Sequence, residues 1–395
     1  MFTSVSNTST QRTREGNKER EGEGCAEATR GEAAAAKMKM KMRQTCALMT
    51  SSSGNRGTRA GPRPSAMRGN GGGKGCARAS AAGKTGGGGG GGGKVKKVKV
   101  AYQGVPGAYS EAAASTAYDA CDTLPCATFE KTFTSVERWA ADRAVVPIEN
   151  SLGGSIHRNY DLLFERELHI VGEVSIPVRH CLLAKPGASV EGIKRVMSHP
   201  QALAQCENYL TDLGVVKEEG IDTALSAQII AEEGDDTVAA VASRRAAELY
   251  GLEVLDSDIQ DDEDNVTRFI ALAREPLSIN AIVSEDSGDD AVPYKTSVVF
   301  TLDEGPGALF KALAVFALRE VDLTKIESRP TPAGMMPIFE TATGDERRFK
   351  YVFYVDFAAS IASRNVQNAL RHLEEIAPFV RVLGSYPRDM QLGRL

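Results

Sequence analysis

From Lys97 to Tyr102 polar and apolar residues alternate (KVKVAY), the period of a half-buried strand. Gly104-Val105-Pro106-Gly107 then turns the chain into an Ala-rich helix beginning near Tyr109. The unit recurs, with a strand over Ala144 to Ile148, a helix over Asp161 to Glu165 and a strand over His169 to Ile176. Such alternation predicts parallel sheet with covering helices. A second set follows. Lys194 to Met197 predicts a strand that leads into Ser198-His199-Pro200-Gln201, where the proline suits the first turn of a helix over Gln201 to Leu210. Asp222 or Thr223 caps a helix over Ala224 to Glu232, and Thr237 to Ala242 is a buried strand. Arg244 to Tyr250 is a helix stopped by Gly251, and Val266 to Ala273 is the closing strand. The expected fold is α/β, two lobes flanking a cleft in the manner of a periplasmic binding protein, with ligands at the carboxyl ends of the strands.

Residues 275 to 293 are rich in Ser, Asp and Glu without a period and predict a linker. Beyond it come a strand (Thr296 to Leu302), a helix (Pro306 to Arg319), two strands (Leu323 to Glu327 and Tyr351 to Phe357), a helix (Val366 to Glu375) and a strand (Val380 to Leu383). This βαββαβ order is that of a ferredoxin-like regulatory module.

Charge divides the chain again. Residues 1 to 100 carry 20 Lys/Arg against 6 Asp/Glu, and the remainder 27 against 46. A body that acidic disfavours nucleic acid, and no apolar run is long enough to predict a membrane-spanning helix. The basic arm holds 21 of the 39 glycines, among them an unbroken run from Gly86 to Gly93, and is expected not to fold. From Ala33 to Val100 it has 15 basic residues and no acidic one, the composition of an organelle transit peptide; an RNA-binding tail or a plain linker is the alternative. The acidic residues before Met38 do not fit a transit peptide, which places the expected start at Met38, Met40, Met42 or Met49. Seven cysteines without a CxxC pair read as reduced thiols, mostly packed as small apolar side chains.

Six strings then carry a family resemblance: GVPGAYSE (Gly104 to Glu111), VPIENSLGGSI (Val146 to Ile156), SHPQALAQC (Ser198 to Cys206), DNVTRFIALAR (Asp264 to Arg274), GALF (Gly307 to Phe310) and ESRP (Glu327 to Pro330). In this order they resemble the plant-type arogenate/prephenate dehydratases of plastids, which carry a C-terminal ACT regulatory domain. One departure stands where the family has a small, Gly-containing sequence after Asp-Thr: this chain reads Asp222-Thr223-Ala224-Leu225. The resemblance implies a disordered transit peptide and Gly-rich linker over 1–94, a dehydratase domain over 95–274, a linker over 275–293 and an ACT domain over 294–390. It implies the chloroplast stroma, a homodimer or homotetramer, a small-molecule substrate, and no metal, organic cofactor, nucleic acid or membrane.

The implied reaction removes a ring carboxylate as CO2 and a ring hydroxyl as water, so the protein must supply a proton donor and a rigid cradle. The resemblance assigns the donor to Thr267, whose alternative is an ordinary β-branched strand residue. The departing carboxylate loses its charge in the transition state, so neutral donors suit it better than a tight cation. Asn150, Ser151, Ser198, Gln201 and Thr223, at strand ends and helix starts, are the cradle candidates, although such residues also cap helices without a ligand. Arg268 either meets the side-chain carboxylate of the substrate or forms a structural ion pair. Phe269 packs on the ring or fills the core. His199 is a general base or shapes the turn before Pro200. Arogenate has an amino group where prephenate has a keto group, so a preference needs an acceptor such as Glu149, Glu111 or Asp222.

Gly305-Pro306-Gly307 turns into a helix whose N-terminus suits an amino-acid carboxylate. In the family, segments like Gly307, Ala308, Leu309 and Phe310 and like Glu327, Ser328, Arg329 and Pro330 form a phenylalanine site between two such domains, which implies feedback inhibition. The rival classes are a phenylalanine sensor of the same fold without catalysis, opposed by the intact Thr267-Arg268-Phe269, and an extracytoplasmic solute-binding protein, which would want an apolar signal peptide.

Overall fold

In the computed structural model, which describes residues 97–233, 235–278, 293–331 and 351–389, the chain opens with β1 (Lys99–Gln103) and α1 (Tyr109–Ala117). It continues through β2 (Asp122–Cys126), α2 (Phe129–Glu137), β3 (Arg143–Asn150), β4 (Gly154–Ser155), α3 (His157–Glu165) and β5 (His169–Pro177). The chain then crosses into a second lobe: β6 (Cys181–Ala184), β7 (Arg195–Ser198), α4 (Pro200–Ala204), α5 (Glu207–Asp212), β8 (Val216–Glu219), α6 (Thr223–Glu233), β9 (Val238–Ala242), α7 (Arg244–Tyr250) and β10 (Glu253–Ser257). It returns as β11 (Val266–Ala273). A third set comprises β12 (Tyr294–Thr301), α8 (Ala308–Ala317), β13 (Leu323–Pro330), β14 (Tyr351–Phe357), α9 (Arg364–Ile376) and β15 (Phe379–Pro387). The basic arm up to residue 94, its glycine run, the candidate start methionines and Cys25, Cys46 and Cys76 lie outside the described residues, as does most of the expected linker 275–293.

The expected parallel sheets are mixed. In the first lobe the order is β2-β1-β3-β11-β5, with β4 paired to β3. Strands β1, β2 and β3 are parallel to one another, and β11 is antiparallel to both β3 and β5. The reason is the double crossing. Strands β3 and β5 run toward the cleft, and β11, arriving from the other lobe, must run away from it. The second lobe, β10-β6-β9-β7-β8, repeats this, with β6 entering antiparallel to β9 beside a parallel β7, β8 and β9.

Five strands, β2, β4, β6, β8 and β10, and helix α2 escape the sequence pattern. Strands β2, β8 and β10 are sheet edges, where β2 tolerates Pro125 because an edge residue needs no ladder donor on its open side. Helix α2 is capped by Thr128, whose hydroxyl accepts from Lys131 N at 3.3 Å. The single helix expected over 201 to 210 breaks into α4 and α5 because the loop after β10 takes its backbone groups. Asp261 N donates to Gln205 O, and the Asp261 carboxylate accepts from Asn208 N.

Burial follows the two-residue period. Phe269 and Ala271 of β11 pack under α1 with Val100, Ala113, Val145 and Val174, while Ile270 and Leu272 pack on the other face with Val146, Ile148 and Leu163. That second face also receives Val299, Val352, Tyr354, Leu383 and Tyr386 from the third set. There the sheet order is β13-β14-β12-β15, wholly antiparallel, with α8 and α9 on one face and the first lobe on the other. Gly384 of β15 lies so close to the Ile170 carbonyl of β5 that a Cβ there would overlap it. The described residues fall within one compact unit.

Candidate active site

Because β3 ends and β11 begins at the cleft, their last rungs meet there. Thr267 is the cross-strand partner of Asn150, and Arg268 of Glu149; the next pairing is Phe269 with Pro147, which leaves Ile148 as a bulge. A bulge re-aims the side chains beyond it. Unbroken alternation would put Asn150 on the face of Val146 and Ile148; the extra residue instead turns Glu149 to that face, where its carboxylate meets Arg268, and Asn150 to the face of Thr267.

Asn150 organises the rung. Its Oδ1 accepts from Leu152 N at 3.1 Å and Gly153 N at 2.7 Å, which fixes the orientation of the amide. Its Nδ2 then donates to Asn265 Oδ1 at 2.7 Å and to Thr267 Oγ1 at 3.0 Å. Two consequences follow for a network that is almost dry. Thr267, 9% exposed, accepts this bond and so keeps its own hydroxyl hydrogen for another acceptor. Asn265, fully buried, has an Nδ2 without a partner among the described residues. A buried amide hydrogen left unpaired costs about 1–3 kcal/mol, so the position of Asn265 is one that packing around it enforces. Asn265 is absent from the candidates that the sequence offers, although a polar residue immediately ahead of a strand ending in a long apolar run is a visible signal. Ser151 ties the hairpin down: its Oγ donates to Asp264 O and accepts from Val266 N.

The second lobe brings Gln201 and Asp222 toward this neighbourhood. A Cβ on Gly153 would overlap Gln201 Nε2, so the amide of Gln201 reaches the tip of the β3–β4 hairpin. Gly104, at φ 116, has the Asp222 carboxylate opposite it, Oδ2 lying 3.5 Å from where a Cβ would be. Asp222 caps α6 through Oδ1, which accepts from Ala224 N and Leu225 N at 2.9 and 3.0 Å. Thr223 is the first residue of that helix, beside the cap rather than serving as it. Ser198 is buried and donates to Val241 O at 2.6 Å, which engages its hydrogen within the sheet. His199 Nδ1 accepts from Gln201 N, so the turn-shaping reading describes it. Of the remaining acceptor candidates, Glu111 accepts from Gly107 N and Thr123 Oγ1.

Two expected ligand residues face elsewhere. Phe269 is 2% exposed and fills the core under α1. Arg268 points to the opposite face from Thr267, where its guanidinium donates to Glu173 at 2.8 Å, Glu149 at 2.9 Å, Asp356 at 2.8 Å and the Tyr386 hydroxyl at 3.1 Å. It is a structural ion pair, not a cleft cation. Burial opposes its charge, but Asp356, Tyr386, Glu173 and Glu149 more than offset this and hold it well above the ordinary arginine value. Lys295 joins the cluster through Glu173, and burial followed by the Arg268 charge lowers its pKa.

On β13 the ESRP string alternates. Glu327 accepts from Ser155 and lies 3.6 Å from His157 Nε2, and Arg329 forms two bonds with Asp161, at 3.1 and 2.8 Å. Glu327 and Arg329 thus face the first lobe, whereas Ser328 and Pro330 are exposed on the other side. Gly307, at φ 74, starts α8, followed by Ala308 and by Leu309 and Phe310, which expose 36% and 76% of their surface. Among the described residues no hydrogen bond joins this turn to Glu327–Pro330.

The family model described as prephenate dehydratase matches residues 100–277. Arogenate dehydratase 2 of Petunia hybrida is 60% identical over 294 residues, covering 74% of this chain and 72% of its own length. The chloroplastic arogenate dehydratase/prephenate dehydratase 2 of Arabidopsis thaliana is 60% identical over 293 residues, covering 74% of each. The crystal structure of a prephenate dehydratase from Arthrobacter aurescens in complex with L-Phe superposes with a TM-score of 0.63 at 32% identity, covering 74% of this chain and 90% of that one.

Proposed function

The chain belongs to the plant-type arogenate/prephenate dehydratases, and from that membership and the site geometry we propose how it works. It is a lyase that expels the ring carboxylate as CO2 and the ring hydroxyl as water. The electron pair of the breaking C–C bond enters the ring and displaces the hydroxyl, so the one thing the protein must deliver is a proton to the departing oxygen. Thr267 makes that contact. The observation that carries this is the bond from Asn150 Nδ2 to Thr267 Oγ1, which leaves the threonine hydrogen to point at the leaving oxygen. Threonine is too weak an acid to release the proton outright; it donates the hydrogen bond and relays the proton, assistance worth about 10²- to 10⁴-fold. The Gln201 amide, which reaches the hairpin tip, is a neutral donor, suited to a carboxylate that loses its charge as it leaves.

Arogenate is the preferred substrate, with prephenate turned over as well. Its amino group needs an acceptor, and elimination leaves Asp222 Oδ2. Glu149 is engaged by Arg268 and Lys325, and Glu111 by Gly107 N and Thr123. The dehydratase domain is 95–274, joined through 275–293 to an ACT domain over 294–390. Phenylalanine binds the latter at the outward residues of Gly307–Phe310 and Glu327–Pro330, between two copies of a homodimer or homotetramer, and inhibits. The A. aurescens structure with bound L-Phe supports this, and the exposed Phe310 and Leu309 are the apolar surface such pairing would cover. The acid-free basic segment from Ala33 to Val100 and the chloroplastic relative support import into the chloroplast, to the stroma.

Product formation by the full chain from arogenate and from prephenate, with and without phenylalanine, tests the reading. Faster turnover of arogenate, suppressed by phenylalanine, is expected. No turnover of either substrate, with phenylalanine still binding, would make the protein a sensor.

A further inference from the structure

Two adjacent rungs of one ladder do different jobs. Thr267 and Asn150 face the cleft, while the neighbouring pair, Arg268 and Glu149, faces the C-terminal sheet. Glu149 also pairs with Ser155 across the β3–β4 hairpin, one rung below the pair of Asn150 and Gly154. Both legs of the hairpin are therefore gripped from below by one side chain. Lys325 of β13 places its Nζ 2.5 Å from Glu149 Oε2 and donates to Ser155 Oγ at 3.0 Å. Glu327, two residues along the same strand, accepts from Ser155 and lies 3.8 Å from Lys325 Nζ, which completes the clamp.

We propose that Lys325 is a positioning residue for the dehydration: from the C-terminal sheet it fixes the two legs of the β3–β4 hairpin and thereby the placement of Asn150 and Thr267 on the substrate. This rests on the catalytic reading given above. The hairpin is two rungs long, and a ribbon that short does not hold itself in water. Its tip carries Asn150, which orients Thr267, and Gly153, which abuts Gln201. A displacement of about 1 Å at the reacting groups costs on the order of 10²-fold in rate. The clamp is half-shielded, with Lys325 at 23% and Glu149 at 26% side-chain exposure, so screening weakens it less than a surface pair. Burial raises the Glu149 carboxyl, and Lys325 and Arg268 more than reverse this, so the carboxylate form that the clamp requires is favoured. A single strand therefore carries the clamp on one face and exposed Ser328 and Pro330 on the other, so a ligand gripping the outward face pulls on the catalytic hairpin through Lys325.

The test uses the full chain and measures kcat and KM for arogenate together with thermal unfolding. Wild-type turnover is measured first, since its absence would sink the dehydratase reading and this role with it. Lys325→Met is expected to lower kcat by about 10- to 100-fold with KM within about 3-fold, because placement rather than binding is lost. Lys325→Arg, which keeps a cation, is expected to recover kcat to within about 5-fold of wild type. Wild-type kcat in folded Lys325→Met would overturn the proposal. So would a loss that tracks a lowered unfolding temperature and that arginine does not rescue. Should Lys325→Met fail to fold, Ser155→Ala removes the other anchor without leaving a charge unpaired, and the same split in kcat is required of it.

Discussion

At the scale of single residues, chemistry turns on which way hydrogen bonds run. Leu152 N and Gly153 N both donate to Asn150 Oδ1, so its Nδ2 must face Asn265 and Thr267, and Thr267 is left as a donor. Asp222 divides its carboxylate similarly, Oδ1 on the helix start and Oδ2 toward Gly104. Asparagine caps a helix as well as aspartate, so Asp222→Asn removes the charge and spares the fold. Loss of a charged acceptor for the amino group is expected to lower kcat/KM for arogenate by about 10- to 100-fold while prephenate stays within about 3-fold. Competition kinetics with both substrates checks this, and an equal fall for both would remove Asp222 from specificity. The strings around Thr267, Asn150 and Gln201 point from sequence alone to residues that the fold brings together. They do not say that Arg268 looks away from the cleft, because its partners Glu173, Asp356 and Tyr386 come from distant strands.

Local elements explain what periodicity could and could not reveal. Strand β9, apolar throughout, strand β11, buried throughout with an apolar run from Phe269 to Ala273, and helices α6 and α7, with clear caps and stops, follow directly from the pattern. The bulge at Ile148 does not, since an extra residue leaves composition unchanged while exchanging the faces of Glu149 and Asn150. Edge strands such as β8 (VKEE) lack an apolar stripe because one side is solvent. The glycine loop after β1 is a further element with a specific demand. Gly107 has φ 91, a Cβ there would meet Ala246 Cα of α7 at 3.1 Å, and Ser243 donates to its carbonyl. Gly107→Ala is expected to cost about 1–3 kcal/mol in urea unfolding, from backbone strain together with displaced packing between the lobes. Unchanged stability would mean that the loop does not seat the lobes on each other.

Across the described residues, the C-terminal sheet is bolted to the catalytic lobe by a charge cluster, buried at Arg268, Lys295, Glu173 and Asp356 and half-shielded at Lys325 and Glu149. Such clusters add little net stability when intact but are costly to break, because the surviving charge stays buried. Asp356→Ala, which strips Arg268 of one partner and Ser297 of its acceptor, is expected to destabilise by about 3 kcal/mol in chemical unfolding. A change below about 0.5 kcal/mol would show that the cluster does not hold the sheets together. The pH dependence has a definite sign. The folded Glu149 carboxyl sits below its ordinary value of 4.5, so its contribution is complete above that pH and is lost as pH falls through the lower folded value. Unfolding titrations of wild type and Glu149→Gln should therefore converge at acid pH and differ at neutrality. The proposed mechanism rests on one contact, that of Thr267 with the leaving oxygen, and Thr267→Val tests it most directly by removing the hydroxyl while keeping the strand. The account predicts that kcat for arogenate falls by about 10²- to 10⁴-fold with KM within a few-fold, and that Thr267→Ser restores much of it. A valine variant that turns over arogenate at the wild-type rate would contradict it.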